Sequence, residues 1–170
     1  MLGFLFGRLT GEPKRGQALF DAAVAEARRP HWFTLAEVPD TLDGRFAMLA
    51  TVSALLIVRL EELGDEGQRA SAAVTERFIE AMDAEHRELG LNDPGLGRRV
   101  RKLVGSLERR VDDWRAAVAG ERAWTEAVVS SVYRGTEPAD PPLEAAEQAL
   151  QDLWRRLSGA GSGQVLKGRF

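Results

Sequence analysis

Cysteine is absent from this chain of 170 residues. The absence excludes disulfide bonds, thiolate metal sites and thiol catalysis, and it fits a reducing compartment. Histidine is scarce, because only His31 and His86 are present and they fall in different predicted elements. A di-iron helical bundle needs two carboxylate-to-histidine pairs plus two further carboxylates, so such a centre lacks members here. We therefore predict no metal site and no cofactor.

Strong net charge and long hydrophobic runs are also missing. The formal net charge is -3, so no global field draws the protein to nucleic acid and we expect no DNA partner. The apolar run over 46–58 is only 13 residues long, whereas a membrane span needs about 20. We interpret this run as a core helix. The apolar segment 1–9 is a poor signal peptide, and three interpretations stay open: contact with a membrane surface, a cap on a groove of the core, and a frayed or docked terminus, which is the commonest outcome for such a segment.

No constellation of catalytic residues emerges from the sequence. Ser53 lies inside the predicted core helix, and the serine pair at 130–131 has no histidine nearby in sequence. The Gly-Leu-Gly stretch at 95–97 lacks the preceding strand and the Lys-Ser/Thr ending of a phosphate loop. We therefore predict that the protein is not an enzyme.

The residues that are present favour a helical globular protein. Hydrophobic residues make up 44% of the chain and charged residues 29%, which argues against wholesale disorder. Alanine, leucine, glutamate and arginine dominate, and all are good helix formers. No segment alternates with a period of two residues. We predict an all-α, single-domain helical bundle of about five to seven helices.

Apolar spacing and helix-breaking residues give the predicted boundaries. The clearest stripe starts at Leu96 and runs to Val118 in steps of three and four residues. Glycine, proline or a capping aspartate separates the elements. The helices are predicted at 14–28, 42–63, 66–89, 95–119, 122–132 and 143–157. We expect the chain to divide into an apolar arm at 1–13, a helical domain at 14–134, a linker and C-terminal helix at 135–157, and a flexible glycine-rich tail at 158–170.

The run V-P-D-T-L-D-G-R-F at 38–46 is the most informative segment. Its proline disfavours helix at the preceding residue, and Asp40 or Thr41 can cap the next helix. Gly44 costs about 1 kcal/mol relative to alanine inside a helix, and Arg45 needs a partner if it is buried. Two compatible interpretations remain: a helix cap in which Arg45 pairs with a nearby acid, and a surface that recognises a partner.

This segment resembles the signature of the ubiquinol–cytochrome c chaperone family. A second block, F-I-E-A-M-D-A-E-H-R-E-L-G-L-N-D-P-G-L-G-R-R-V-R-K at 78–102, resembles the same family, and 18–30 gives a weaker match. The resemblance spans 16–118 and does not cover the last third of the chain. Two departures from the family pattern are Ala47, where an acid is usual, and Trp114, where a tyrosine is common.

The resemblance implies an assembly chaperone that binds newly made cytochrome b during biogenesis of the ubiquinol–cytochrome c reductase. It also implies contact with the ribosome in mitochondria. We expect the protein to be located in the bacterial cytoplasm, at the periphery of the inner membrane. In a eukaryote, we expect it on the matrix side of the mitochondrial inner membrane. The alternative function is a generic helical interaction module or membrane-surface adaptor that uses the arm and a basic strip.

Basic residues cluster on the predicted helix at 95–119, and we call this group the basic strip: Arg98, Arg99, Arg101, Lys102, Arg109 and Arg110. One interpretation is a solvated helix face. The other is a surface for an acidic partner, lipid headgroups or ribosomal RNA. No aromatic residue interleaves with the strip, which disfavours stacking on single-stranded bases.

Partner binding is therefore the only chemistry for which we predict site residues. Polar residues at or beneath the rim of an apolar groove, the basic strip and two aromatic residues supply the candidates. The predicted partner-binding residues are Asp43, Gly44, Arg45, Phe46, Arg87, Glu88, Asp93, Arg98, Arg101, Lys102, Arg110 and Trp114.

Overall fold

Helices account for all the regular secondary structure in the part of the chain that the computed structural model describes, residues 14–88 and 95–170. Six helices have eight residues or more and two have four. The all-α bundle expected from the sequence is confirmed. The helices are α1 Gln17–Ala27, α2 His31–Thr34, α3 Leu42–Glu61, α4 Gly64–Glu88, α5 Leu96–Val118, α6 Trp124–Ser131, α7 Asp140–Gly159 and α8 Ser162–Val165.

Helix α3 is the centre of the bundle and contacts α1, α4, α5, α6 and α7. Its apolar run is buried on nearly every side, as expected for a helix without a polar face. Thr41 caps it, because its hydroxyl oxygen accepts a hydrogen bond of 3.2 Å from the backbone N–H of Gly44. Although α3 is apolar, no helix in the described ranges is long and apolar enough to cross a membrane.

The two longest helices pack one face against α3. In α5 the stripe that the sequence predicts is buried at Leu103, Leu107, Val111 and Trp114. In α4 the residues of the predicted face that are buried include Phe78. Charged residues occupy most of the exposed positions of both helices.

The C-terminal part of the chain differs from the expectation. Helix α7 begins at Asp140 rather than 143, because Pro141 and Pro142 fit the first helical turn. The segment predicted as a flexible tail contains α8, and Val165 is fully buried. Gly168 has a φ of +71°, and a Cβ there would lie 2.6 Å from the carbonyl oxygen of Ala18. Gly168 therefore allows the tail to pack closely on α1.

Candidate partner-binding groove

A groove of about 990 Å³ opens between the start of α3, the end of α4, α5, α6 and the turn after α6. We call it the α5 groove. Apolar side chains from four helices form its floor: Leu42, Phe46, Met82, Leu103 and Val129. Charged side chains of both signs form its rim: Asp43, Glu85, Arg99, Lys102, Arg109, Arg110, Asp113, Arg122, Glu126, Arg134 and Glu137. The groove therefore combines an apolar base with a charged edge.

Two residues of α3 give the floor its apolar character. Phe46 is half-buried, and its ring lies 5.8 Å from that of Phe78, measured between centroids. Leu42 is 44% exposed, although large hydrophobic side chains are mostly buried elsewhere in the described chain. A second leucine, Leu35, is 65% exposed but does not line the groove. The floor thus offers apolar area that this fold leaves uncovered.

Arg110 lies over this floor with no carboxylate at ion-pair distance among the described residues. Its Nη1 donates to the hydroxyl oxygen of Ser106 at 2.7 Å, and its Nη2 donates to the carbonyl oxygen of Ser131 at 3.1 Å. The guanidinium carbon lies 5.7 Å from the centroid of the Phe46 ring. Burial lowers the pKa of Arg110, and the positive charge of Arg109 lowers it further. The cation is thus held by neutral groups and an aromatic face.

A buried polar network fixes the base on which Arg110 rests. The hydroxyl oxygens of Thr51 and Ser131 are 2.6 Å apart, and Trp114 donates its indole N–H to the hydroxyl oxygen of Ser131 at 3.2 Å. These residues belong to α3, α6 and α5, so the network joins the three helices beneath the groove. Buried polar groups that pair in this way hold neighbouring elements in one arrangement.

Two aspartates that line the groove form ion pairs with arginines. Asp113 forms an ion pair with Arg122 and accepts a hydrogen bond of 3.2 Å from the hydroxyl of Ser130. At the end of the groove, Arg134 lies 2.6 Å from a carboxylate oxygen of Asp43. Asp113 of α5 and Asp43 of α3 are therefore already engaged by arginines.

Four of the predicted partner-binding residues line the α5 groove. They come from two helices: Asp43, Phe46, Lys102 and Arg110. Arg98 and Arg101 are exposed but lie outside the lining. Asp93, like the side chains of Arg87 and Glu88, lies outside the described residues.

The other predicted residues have different surroundings. Arg45 turns away from the groove and forms a 2.7 Å ion pair with Asp40, and the hydrogen bond from Arg45 lowers the pKa of that carboxyl. Gly44 is buried, and a Cβ built on it would overlap the carbonyl oxygen of Pro39. Trp114 is fully buried against Trp124. These three residues do not face the groove, and we leave them out of the proposed binding surface.

A second cleft of about 610 Å³ lies on the other side of Phe46, between α1, α3 and α4. Arg45 and Asp40 line it, with Phe20 and Leu49 among its apolar walls. Phe46, Met82 and Glu85 border both spaces, so the side chain of Phe46 stands as a partition between them.

Several residues of the groove are absent from the predicted partner-binding set. Two of them are Leu42 and Arg134, which are far apart in the chain. Leu42 is the first residue of α3, and Arg134 follows α6. An apolar residue at the exposed start of a helix is a signal that could have indicated Leu42. Arg134 lies in a turn, where the sequence pattern gives no indication of what it faces. Arg109 was recognised only as part of the basic strip.

Comparisons with known proteins agree with this fold. A family model described as ubiquinol-cytochrome C chaperone matches residues 35–169. The crystal structure of the Cbp3 homolog from Brucella abortus is similar with a TM-score of 0.78 and 23% sequence identity, over 99% of this chain and 94% of that chain. At that identity the likeness shows a shared fold. No curated protein sequence matches the chain.

The family model matches more of the C-terminal part of the chain than the motif resemblance covers. The resemblance ended at residue 118, whereas the family model continues through α6, α7 and the tail to residue 169. It begins at residue 35 and so includes the signature at 38–46 but not the weaker match at 18–30. The chain belongs to the ubiquinol–cytochrome c chaperone family.

Proposed function

We propose that this protein is an assembly chaperone that binds newly made cytochrome b during biogenesis of the ubiquinol–cytochrome c reductase, and that the α5 groove receives the client. Family membership supports the chaperone role. The observation that carries the assignment of the surface is the uncovered apolar floor of the groove, framed by charged side chains. No catalytic step is part of this proposal.

The physical requirement of such a chaperone explains why this surface fits. A membrane protein that has not yet assembled exposes apolar side chains that lack lipid or a partner subunit. An apolar groove replaces those contacts, and a charged rim limits association between copies of the chaperone itself. The apolar floor and the charged rim of the α5 groove supply both properties.

An exposed pair of leucines allows a matched test. We expect Leu42→Glu to reduce the amount of cytochrome b that co-purifies with the protein from native membranes by about tenfold, because a charged side chain replaces apolar area of the floor that the client would cover. Glutamate in the first helical turn suits the helix dipole, so α3 should remain intact. The measurement is quantitative mass spectrometry of the co-purified proteins.

The control is Leu35→Glu, which places the same charge on a more exposed leucine outside the groove. It should leave co-purification unchanged. Equal loss in both variants would reject the groove as the client surface, and wild-type protein that recovers no cytochrome b would reject the assigned client. Matching unfolding curves for the two variants establish that folding is not the cause.

Two further partners follow from the sequence and family alone. We propose that the basic strip, including the exposed Arg98 and Arg101, contacts the ribosome. We also propose peripheral membrane contact through residues 1–9, which lie outside the described residues, and a location beside the bacterial inner membrane. Flotation with liposomes, with and without residues 1–13, tests the membrane contact.

A further inference from the structure

We infer that the α5 groove selects a client segment that carries a carboxylate among apolar side chains, with Arg109 and Arg110 as the groups that recognise the charge. This inference rests on the proposed function and adds the chemical class of the bound segment. The segment is a peptide of the client rather than a lipid or a nucleic acid.

The first support is uncompensated positive charge on the α5 side of the groove. Arg110 makes its hydrogen bonds to Ser106 and Ser131, which are neutral. Its Nε is buried and has no hydrogen-bond partner. Lys102 and Arg109 are exposed and have no ion pair within the described ranges of the chain. A partly desolvated cation without a counter-ion favours an anion beside it.

The second support is the way the charges are arranged across the groove. The positive charges of Arg109 and Arg134 lower the pKa of Arg110, whereas the negative charge of Asp113 raises it. Asp113 is already engaged with Arg122, and Arg134 with Asp43. Each aspartate of the groove lining therefore already holds an arginine, and neither forms an ion pair with Arg109 or Arg110 in the described structure.

The size of the groove indicates a peptide. Two turns of an α-helix about 10 Å across and about 11 Å long occupy roughly 850 Å³. The groove holds about 990 Å³, which accommodates such a segment with its side chains. An apolar face of that segment would cover the floor at Phe46 and Leu103, and an acidic residue at its edge would reach the α5 wall.

The rim argues against the other anionic partners. Glu85, Glu126 and Glu137 line the opening, and the ion pair that the described residues give them is the 3.6 Å contact of Glu126 with Arg122. These acids repel the continuous negative charge of a bilayer surface or a nucleic acid backbone. A single carboxylate on a peptide can reach the α5 wall without approaching them.

An array of peptides from cytochrome b of the native organism tests this inference. The array presents overlapping segments of 18 residues, each acidic one beside a copy in which Glu or Asp is replaced by Gln or Asn, and it is probed with the full-length protein. The strongest soluble pair is then measured by fluorescence anisotropy. We expect the acidic member to bind about tenfold more tightly, because a hydrogen bond to a charged group is stronger than one between neutral groups.

Three variants locate the effect. Arg110→Gln and Arg109→Gln should both abolish the preference for the acidic peptide. The side chain of Arg109 is exposed and makes no hydrogen bond in the described structure. The Arg109 variant therefore remains informative if Arg110→Gln is poorly folded. Arg69→Gln is the control, because Arg69 is an exposed cation of α4 that does not line the groove.

Equal binding of the acidic and amide peptides would overturn the inference while leaving the proposed function intact. Binding to vesicles of phosphatidylglycerol that depends on Arg109 would also overturn it, in favour of lipid headgroups. Failure of every cytochrome b peptide to bind, together with absence of cytochrome b from the co-purified proteins, would reject the proposed function and this inference with it.

Discussion

Consecutive residues at the start of α3 face different surroundings. Asp43 pairs with Arg134 at the end of the α5 groove, and Phe46 forms part of the groove floor. Arg45, one residue before Phe46, points into the second cleft. Gly44 packs against the chain before the helix. A helix turns by about 100° per residue, so a compact motif in sequence does not produce one continuous surface.

Gly44 gives a prediction about stability. We expect Gly44→Ala to lower the free energy of unfolding by about 1–3 kcal/mol, because the new methyl group would overlap the carbonyl oxygen of Pro39 and force the backbone apart. Gly105→Ala on α5 is the matched change, since no atom beyond its own stretch of helix lies within 4 Å of the added Cβ. That variant should gain about 0.5–1 kcal/mol from helix propensity.

Urea unfolding monitored by circular dichroism measures both variants. Loss of stability at Gly44 with gain at Gly105 establishes a packing role for the glycine of the signature. A Gly44→Ala protein that is as stable as wild type but no longer binds the client would contradict that role.

At the scale of elements, Tyr133 joins three segments that are distant in sequence. Its hydroxyl oxygen lies 2.6 Å from the carbonyl oxygen of Ala36 and 3.1 Å from that of Pro142. The side chain is buried just after α6. The segment before α3, the end of α6 and the first turn of α7 therefore meet at one phenol, next to the turn that carries Arg134.

The ionisation of Tyr133 gives a prediction for pH. Burial, together with the negative charge of Glu37, raises the pKa of Tyr133 to about 12. The unfolded chain loses this proton near pH 10, so the folded state binds more protons between pH 10 and about 12. The stabilisation is complete below pH 10 and is lost as the pH rises through that window.

Tyr133→Phe is the test. We expect it to cost about 1 kcal/mol at neutral pH, because the two carbonyl groups lose their donor. The difference in stability between wild type and variant should shrink as the pH rises above 10, which denaturant unfolding at several pH values measures. A difference that stays constant with pH would contradict the assignment.

The elements themselves could be predicted because their information is local. The spacing of Leu103, Leu107 and Val111 indicated the buried face of α5, and the uncharged run at 46–58 indicated the central helix. The groove could not be predicted, since it depends on how α6 and the turn at Arg134 approach α5. That approach is set by buried contacts between distant residues, such as Thr51 with Ser131, which leave no periodic pattern.

At the scale of the whole molecule, the C-terminal segment closes back on α1. Val165 is fully buried, and the guanidinium of Arg156 lies 3.0 Å from the buried carboxylate of Glu26. Arg156 also donates a hydrogen bond of 3.3 Å to the carbonyl oxygen of Phe170. The glycine content of this segment indicated flexibility. Composition does not show that one apolar residue among these glycines, Val165, is buried.

Val165 gives the prediction at this scale. We expect Val165→Ala to lower the free energy of unfolding by about 1–2 kcal/mol through lost burial and a small cavity. Lys167→Ala, two residues away on an exposed side chain, should change it by less than about 0.5 kcal/mol. Thermal unfolding compares the two, and equal melting temperatures would show that the segment does not pack on α1 in solution.

The ring of Phe46 separates two spaces, and this has a consequence for how the protein accommodates a guest. A side chain that forms a common wall cannot enlarge one compartment without narrowing the other. Rotation of this ring towards α1 would deepen the α5 groove at the expense of the cleft that holds Arg45 and Asp40. We therefore expect a guest that moves this ring in one compartment to change the shape of the other.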